Sequence, residues 1–239
     1  MRRIRLHHLP GFLAATGLSL FAFGLVAAEG ADRESCVDDA MIVFDASGSM
    51  SGNEKLGIAT TITRIDEVRA ALGRVLPTAA RHRRVGLITY GPGPYNQCNV
   101  ELNLEPAPDA AKRILEAVGA LTPAGKTPLT SAVAQAAEVL DFRHKPGVVV
   151  VLTDGEETCG GSPCALGKEL HDAAANLIVH VIAFRTSNFS WTGEQSILGI
   201  KCLAEANNGL YVTAETQEDL VGAFQETLSC PMISLRAVP

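Results

Sequence analysis

The sequence predicts an α/β fold in which helices cover both faces of a doubly wound, mostly parallel sheet of about six strands. Two observations lead to this prediction. Short, uninterrupted aliphatic runs, typical of parallel strands that are buried on both faces, recur along the chain. Between them lie longer segments whose apolar residues recur at helical spacing. Strands that alternate with helices favour α/β architecture, and 239 residues are enough for one sizeable domain.

The first half of the chain supplies three strands and three helices. Residues 41–44 form an apolar run that ends at Asp45, and residues 85–90 form the second strand. The alternating segment 98–104 follows after a short link, so it is predicted to be an antiparallel edge strand with one face in solvent. Helices are predicted over 65–76, with Pro77 ending the helix, over 108–120 and over 129–140.

The second half alternates strand and helix regularly. The run GVVVVLT at 147–153 is the most strongly apolar strand, and Asp154 follows it directly. Another continuous apolar strand covers 177–184, and a short strand covers 210–213. Helices are predicted over 163–175, over 195–206 and from Thr216, which is expected to form a capping box with Asp219.

The amino-terminal segment 1–28 is predicted to be a secretory signal peptide. Three arginines precede an uncharged apolar stretch, and small residues come just before a cleavage point after Ala28. An uncleaved membrane anchor is the alternative, although the stretch is slightly short of the roughly 20 residues that a span needs. The mature protein is therefore expected to be exported, periplasmic or extracellular. It ends in a tail at 231–239 and would contact a membrane only if segment 1–28 stayed attached.

Six cysteines in an exported chain indicate disulfides. Cys36 lies just before the first strand and Cys230 just after the last helix, so a bond between them would clamp the domain. The two cysteines of CGGSPC either pair with each other or pair with the two that remain. These four are Cys98, Cys159, Cys164 and Cys202. A zinc site is less favoured, because no second closely spaced pair is present.

Charge and motifs argue against nucleic-acid and nucleotide binding. The formal net charge is -6, and it becomes more negative once the amino-terminal arginines are removed, which does not suit a phosphate backbone. The segment LTPAGKT resembles part of a phosphate-binding loop, but Ala120 stands where that loop needs its first glycine. A serine hydrolase is not indicated, because GSMSG has Met50 in the place of the nucleophile.

Polar residues follow two of the buried strands. Asp45, Ser47 and Ser49 are spaced two apart after the first strand, and Asp154 follows the strand at 147–153. Ligands bind at the carboxyl ends of strands in such sheets. Side chains that offer only hard oxygen atoms favour Mg²⁺, Mn²⁺ or Ca²⁺. Asx and Ser turns that hold no metal are the alternative.

The segments DASGS, GKTPL and TDGE, in this order and with apolar strands before the first and the last, resemble the von Willebrand factor type A domain. They match the metal-ion-dependent adhesion site of that family. The resemblance to the domain covers about residues 36–230, and small exported bacterial members are the most similar type. The resemblance implies a Rossmann-like sheet with one antiparallel edge strand. It implies that Ser47 and Ser49 ligate Mg²⁺ and that Thr127 ligates it directly or through water. Asp45 and Asp154 would hold metal-bound waters and the hydroxyls.

The function implied by this resemblance is protein binding without catalysis. An ion with few charged direct ligands stays electron-poor, so it accepts an Asp or Glu carboxylate, or another anionic group, from a partner protein. Two alternatives stay open. One is a metal-dependent hydrolase that uses Glu156 or Glu157, and the other is a structural domain with an unused metal site.

Overall fold

The computed structural model describes residue 36 and residues 38–55, 58–59, 61–186 and 194–230. The predicted signal peptide at 1–28, the loop at 187–193 and the tail at 231–239 lie outside these described residues. Within the described part of the chain, every helix is too short or too polar to span a bilayer.

Six strands form the main sheet, and one edge strand runs antiparallel to the rest. In chain order the strands are β1 (Asp39–Asp45), β2 (Glu54–Lys55), β3 (Ile58–Ala59), β4 (Val85–Tyr90), β5 (Val100–Ala107), β6 (Pro146–Thr153), β7 (Asn176–Phe184) and β8 (Tyr211–Ala214). The order across the main sheet is β5-β4-β1-β6-β7-β8, while β2 and β3 pair only with each other. Strand β5 pairs antiparallel with β4, and the other neighbours are parallel. The predicted α/β class and its antiparallel edge strand are confirmed.

Helices cover both faces of this sheet. They are α1 (Arg64–His82), α2 (Ala111–Ala120), α3 (Leu129–Val139), α4 (Pro163–Ala173), α5 (Glu194–Ala206) and α6 (Gln217–Leu228). Because side chains alternate along a strand, Ile42 and Phe44 of β1 pack toward α1, α2 and α6, whereas Met41 and Val43 pack toward α3, α4 and α5. All four are fully buried. Burial on both faces explains why β1 appears in the sequence as an unbroken apolar run.

The prediction that Pro77 ends the first helix is wrong, because α1 continues through it to His82. A proline removes one backbone hydrogen bond and crowds the carbonyl four residues earlier. Here Pro77 lies on the exposed face of the helix. Buried residues on both sides of the proline, Leu76 and Ala80, hold the two halves of the helix against the core.

Polar contacts fix the starts of two helices, α1 and α6. A capping box of Thr63 and Asp66 starts α1, and the predicted box of Thr216 and Asp219 starts α6. On the first turn of α1, Glu67 accepts two hydrogen bonds of 2.8 Å from the Arg185 guanidinium. Both side chains of this ion pair are buried, so it ties α1 to the end of β7.

Three disulfides connect the six cysteines. Cys36 is joined to Cys230 across a sequence separation of 194 residues. For the CGGSPC segment, the structure has the second of the two predicted arrangements. Its bonds are Cys98–Cys159 and Cys164–Cys202. The Cys36–Cys230 bond closes the domain at its termini. The Cys98–Cys159 bond joins the loops that follow β4 and β6.

The carboxyl ends of β1 and β6 lie side by side at the centre of the sheet. Phe44 of β1 pairs with Leu152 of β6, so Asp45 and Asp154 leave the sheet at neighbouring positions. The chain passes from β1 to β4 on one side and later to β6 on the other. A reversal of strand order of this kind marks the position at which α/β sheets bind ligands.

Candidate metal centre

The chain turns sharply after β1 and brings Ser47 and Ser49 over the end of the strand. The backbone N–H of Ser47 donates to Asp45 Oδ1 at 2.8 Å, which forms an Asx turn. A single 3-10 turn, Gly48–Ser51, follows, and its Met50 side chain is fully buried in the core beneath α1. The buried methionine fixes the turn, so both serine hydroxyls stay at the sheet edge.

Four of the predicted site residues form one continuous hydrogen-bonded chain. Ser47 Oγ lies 3.0 Å from Ser49 Oγ, and Ser49 Oγ donates to Asp154 Oδ1 at 2.6 Å. With the Asx turn at Asp45, this chain runs from the end of β1 to the end of β6. Asp45 and Asp154 are fully buried, whereas Ser49 is exposed. The acidic groups therefore lie at the bottom of the cluster, and a hydroxyl lies at its mouth.

The carboxylate of Asp45 is enclosed by neutral donors. Its Oδ2 accepts from the Tyr90 hydroxyl at 2.8 Å and from Thr153 Oγ1 at 3.0 Å. Tyr90 closes β4 and Thr153 closes β6, so the strands on both sides of β1 supply donors to it. The sequence analysis missed both residues, because in the sequence they are simply the last residues of apolar strands.

The carboxylate of Asp154 has a cationic neighbour instead. Its Oδ2 accepts from Arg64 Nη1 of α1 at 2.7 Å. Every carboxylate oxygen of the pair thus accepts at least one hydrogen bond from the chain. Arg64 was also missed, because an arginine in the first turn of a helix has no pattern that connects it to an aspartate so far along the chain.

Burial raises the pKa values of both acids. The pKa of Asp45 rises to about 7, first because the carboxylate is desolvated and second because the Asp154 charge is near. Burial likewise raises the pKa of Asp154, against the hydrogen bonds from Ser49 and Arg64, which lower it. Only one of the two buried acids, Asp154, contacts a guanidinium, so the ionised pair carries a surplus of negative charge that suits a cation.

The loop that holds Thr127 lies directly against the serine turn. Gly48 donates its N–H to the Gly125 carbonyl at 2.9 Å, and Ala124 donates to the Ala46 carbonyl at 3.3 Å. Two residues after Gly125, Thr127 is buried, and its backbone N–H donates to the Thr158 hydroxyl at 2.8 Å. Among the described residues, the Thr127 hydroxyl has no hydrogen bond to either serine. The structure thus brings the loop to the site and leaves the role of this hydroxyl a prediction.

Gly91 is a second residue whose role the sequence did not reveal. It has a φ of +78°, and a Cβ at this position would lie 2.6 Å from both the N and Cα atoms of Ser47. Its carbonyl accepts from the N–H of Gly125 at 2.8 Å. Gly91 therefore lets the β4 loop, the serine turn and the Thr127 loop approach one another.

Gly91→Ala is expected to destabilise the protein by about 2–4 kcal/mol, because it combines a disfavoured φ with a backbone clash against Ser47. Gly73→Ala on α1 is the matched control, since nothing lies within 4 Å of the added methyl group. It should be neutral or stabilising by up to about 1 kcal/mol. Urea unfolding of both variants measures the difference. Equal stabilities would show that the three loops do not depend on Gly91.

The donor set fits a hard divalent cation better than zinc or copper. No group of three His, Cys, Asp or Glu side chains in the described ranges is placed to hold a metal, so any ion here depends on the serine hydroxyls. Hydroxyl oxygens flanked by carboxylates are the chemistry of Mg²⁺, Mn²⁺ and Ca²⁺ sites. Ser47, Ser49 and Thr127 would hold such an ion, with Asp45 and Asp154 acting through hydrogen bonds.

Comparison with known sequences identifies the type of domain. Residues 40–157 match the family model described as von Willebrand factor type A domain. The uncharacterized protein YwmD of Bacillus subtilis (strain 168) is 26% identical in an alignment that covers 90% of this chain and 95% of that protein.

Solved structures of low sequence identity share the fold. The vWF domain of the type V pili tip protein Mfa5 from Porphyromonas gingivalis has a TM-score of 0.55 at 14% identity, over 81% of this chain and 94% of that one. The pilus adhesin SpaC from Lactobacillus rhamnosus GG has a TM-score of 0.57 at 14% identity, over 80% of this chain and 30% of that one.

Proposed function

The chain carries a von Willebrand factor type A domain, and from this premise we propose that it is an exported binding module whose Mg²⁺ ion holds an acidic group of a partner protein. Mn²⁺ or Ca²⁺ can take the same place, since all three are bound by hard oxygen ligands. The three disulfides fit an exported protein.

One observation carries the proposal, namely that the exposed Ser49 hydroxyl lies at the mouth of the cluster, whereas Ser47 and both carboxylates are buried. Ser49 is exposed, and its hydroxyl contacts Asp154, which is fully buried. An ion approaching from solvent meets the neutral Ser49 hydroxyl first, while the acids are already engaged as hydrogen-bond acceptors. Such an ion keeps much of its positive charge.

A retained positive charge makes the ion a receptor for anions. Mg²⁺ prefers six oxygen ligands and keeps water where the protein supplies none. When bound, it offers a position that a carboxylate of a partner can take. The chain's own residues orient that position, because the buried Met50 fixes the serine turn and the Asp45 contacts fix its base.

The comparisons support binding over catalysis. Two of the similar structures are parts of pilus proteins, one of them named an adhesin. The geometry also disfavours Glu157 as a catalytic base. Its two carboxylate oxygens accept hydrogen bonds from the backbone N–H groups of Thr130 and Cys159, both at 2.7 Å. Within the part of the chain that the structure describes, no specific observation favours a hydrolase.

Titration calorimetry and thermal unfolding of the full chain with Mg²⁺ test the proposal. One ion per chain is expected. At a hundredfold excess over Kd it should stabilise the fold by about 2.7 kcal/mol, which raises Tm by roughly 5–11 °C for a domain of this size. EDTA should reverse the shift. Ser47→Ala/Ser49→Ala should abolish it, whereas Ser131→Ala, an exposed serine of α3, should not.

Capture of exported proteins on the immobilised chain tests the partner half of the proposal. Retention in Mg²⁺ that disappears in EDTA is the expected result. Retention that persists in EDTA would place the partner elsewhere on the surface. A chain that shows neither heat nor a thermal shift with Mg²⁺ would be a structural domain whose centre is unused.

A further inference from the structure

The Arg64 side chain occupies an unusual position beside the candidate metal centre. Its Nη1 atom donates to Asp154 Oδ2 at 2.7 Å, and Asp154 is fully buried. The Arg64 side chain as a whole is about four-fifths buried, with an exposure of 20%. A cation already contacts one of the two acids that an incoming metal ion would rely on.

The other acids near α1 do not neutralise this guanidinium. Glu67 is engaged by both of its oxygens with Arg185. Asp45 accepts only from Ser47, Tyr90 and Thr153 among the described residues, and all of them are neutral donors. Arg64 and Asp154 therefore form a pair, and Asp45 is the acid of the centre that this pairing leaves uncompensated.

The Arg64 guanidinium is only partly satisfied in this position. Its Nε atom is buried and has no hydrogen-bond partner among the described residues. A Cβ added at Gly52 would lie 3.4 Å from that Nε, which shows how closely the glycine turn packs on the guanidinium. A buried donor without an acceptor is costly. The contact with Asp154 thus holds the side chain in place, and its remaining exposure leaves a way out to solvent.

We propose that Arg64 is a tethered counter-cation that competes with the divalent ion for Asp154 and so sets a weak metal affinity. This inference rests on the proposed function, because it concerns the same centre. When both acids are ionised, two carboxylates and one guanidinium leave a single negative charge to attract the ion, whereas two ionised carboxylates alone would leave two. The ion must therefore either displace the guanidinium or tolerate its charge, and each alternative weakens binding.

The size of the effect follows from what a neighbouring guanidinium does to a proton at the same atom. An arginine beside an aspartate lowers the carboxyl pKa by about 1–3 units, which is roughly a 10- to 1,000-fold loss of proton affinity. A divalent ion experiences the same repulsion with twice the charge. Removal of the Arg64 charge should therefore tighten Mg²⁺ binding by at least about tenfold.

Calorimetric titration of Mg²⁺ into the wild type and into Arg64→Gln tests this inference. The Kd of Arg64→Gln should be at least about tenfold lower than that of the wild type. Arg64→Lys keeps the charge and should stay within about threefold of the wild type. Arg74→Gln makes the same change of charge on the same helix at an exposed pair with Glu218, and its Kd should not change.

The outcomes separate this inference from the proposed function. An Arg64→Gln protein that is folded by circular dichroism and binds Mg²⁺ no more tightly than the wild type overturns the competition. If Arg64→Gln does not fold, Arg64→Met gives the same loss of charge and is judged by the same criterion. Absence of binding in the wild type and in both neutral variants overturns the proposed function itself. If the wild type binds Mg²⁺ and all variants have the same Kd, the metal centre is supported and only the proposed role of Arg64 is contradicted.

Discussion

Asp45→Asn is expected to weaken Mg²⁺ binding by about 10- to 100-fold, the loss typical when a residue that supports metal ligands is changed. The substitution removes the negative charge of Asp45 from the bottom of the cluster and keeps the shape of the side chain. Titration calorimetry measures the loss directly. The thermal shift with Mg²⁺ should shrink in parallel.

The fold should survive this substitution, because the two hydroxyl donors to Asp45 have other acceptors. The Tyr90 hydroxyl also lies 3.2 Å from the Leu152 carbonyl, and Thr153 Oγ1 lies 3.0 Å from the Gly155 carbonyl. In the variant, each hydroxyl can donate to its nearby backbone carbonyl and accept a hydrogen bond from the N–H of the new side-chain amide. The amide oxygen can still accept from the Ser47 N–H.

Metal-free Asp45→Asn should even be the more stable protein above neutral pH. The folded-state pKa of Asp45, about 7, lies above its ordinary value of 3.8, so between these values the folded wild type binds more protons than the unfolded chain. The free energy of unfolding therefore falls as pH rises from about 4 to about 7. The asparagine side chain of the variant does not titrate, so this part of the fall should be missing from urea unfolding curves measured in EDTA.

Asp172→Asn is the matched control, because it removes an exposed carboxylate from α4. It should leave both the Mg²⁺ affinity and the pH dependence of stability as in the wild type. An Asp45→Asn protein that binds Mg²⁺ as tightly as the wild type would mean that the ion, if any, binds elsewhere.

The fold and the position of the site were predictable because they depend on local patterns. Strand β1 is buried on both faces, so it is an unbroken apolar run that ends at Asp45. The next polar residues then follow the carboxyl end of a parallel strand. The same logic applies to β6 and Asp154. Neither inference needs knowledge of which side chains touch.

The parts of the site that escaped prediction depend on contacts between distant segments. Arg64 is 90 residues from Asp154 in the sequence, and Tyr90 is 45 residues from Asp45. Composition and spacing carry no information of this kind. The prediction assumed that Pro77 ends the helix, as proline does on average. In the folded protein, the packing of Leu76 and Ala80 holds α1 together on both sides of it.

Cys36→Ser/Cys230→Ser is expected to lower the free energy of unfolding by about 5 kcal/mol in the chain-entropy description of cross-links. The bond spans 194 residues, so it restricts the unfolded chain more than either of the other two. For a domain of this size the loss corresponds to a Tm decrease of roughly 8–20 °C. Urea unfolding under non-reducing conditions measures it.

The control is Cys164→Ser/Cys202→Ser, which removes a bond spanning 38 residues. The ratio of the two spans predicts a loss smaller by about 1.4 kcal/mol.

A Mg²⁺ titration shows whether the loss of the Cys36–Cys230 bond affects the metal centre as well as the stability. The Cys36 N–H donates to the His82 carbonyl at the end of α1, just before β4 begins, so the clamp lies at the amino edge of the sheet. The serine turn lies at the carboxyl edge, and the folded double mutant should keep the Mg²⁺ affinity of the wild type. A loss below about 1 kcal/mol, or a changed affinity, would mean that the clamp does not act through the unfolded chain alone.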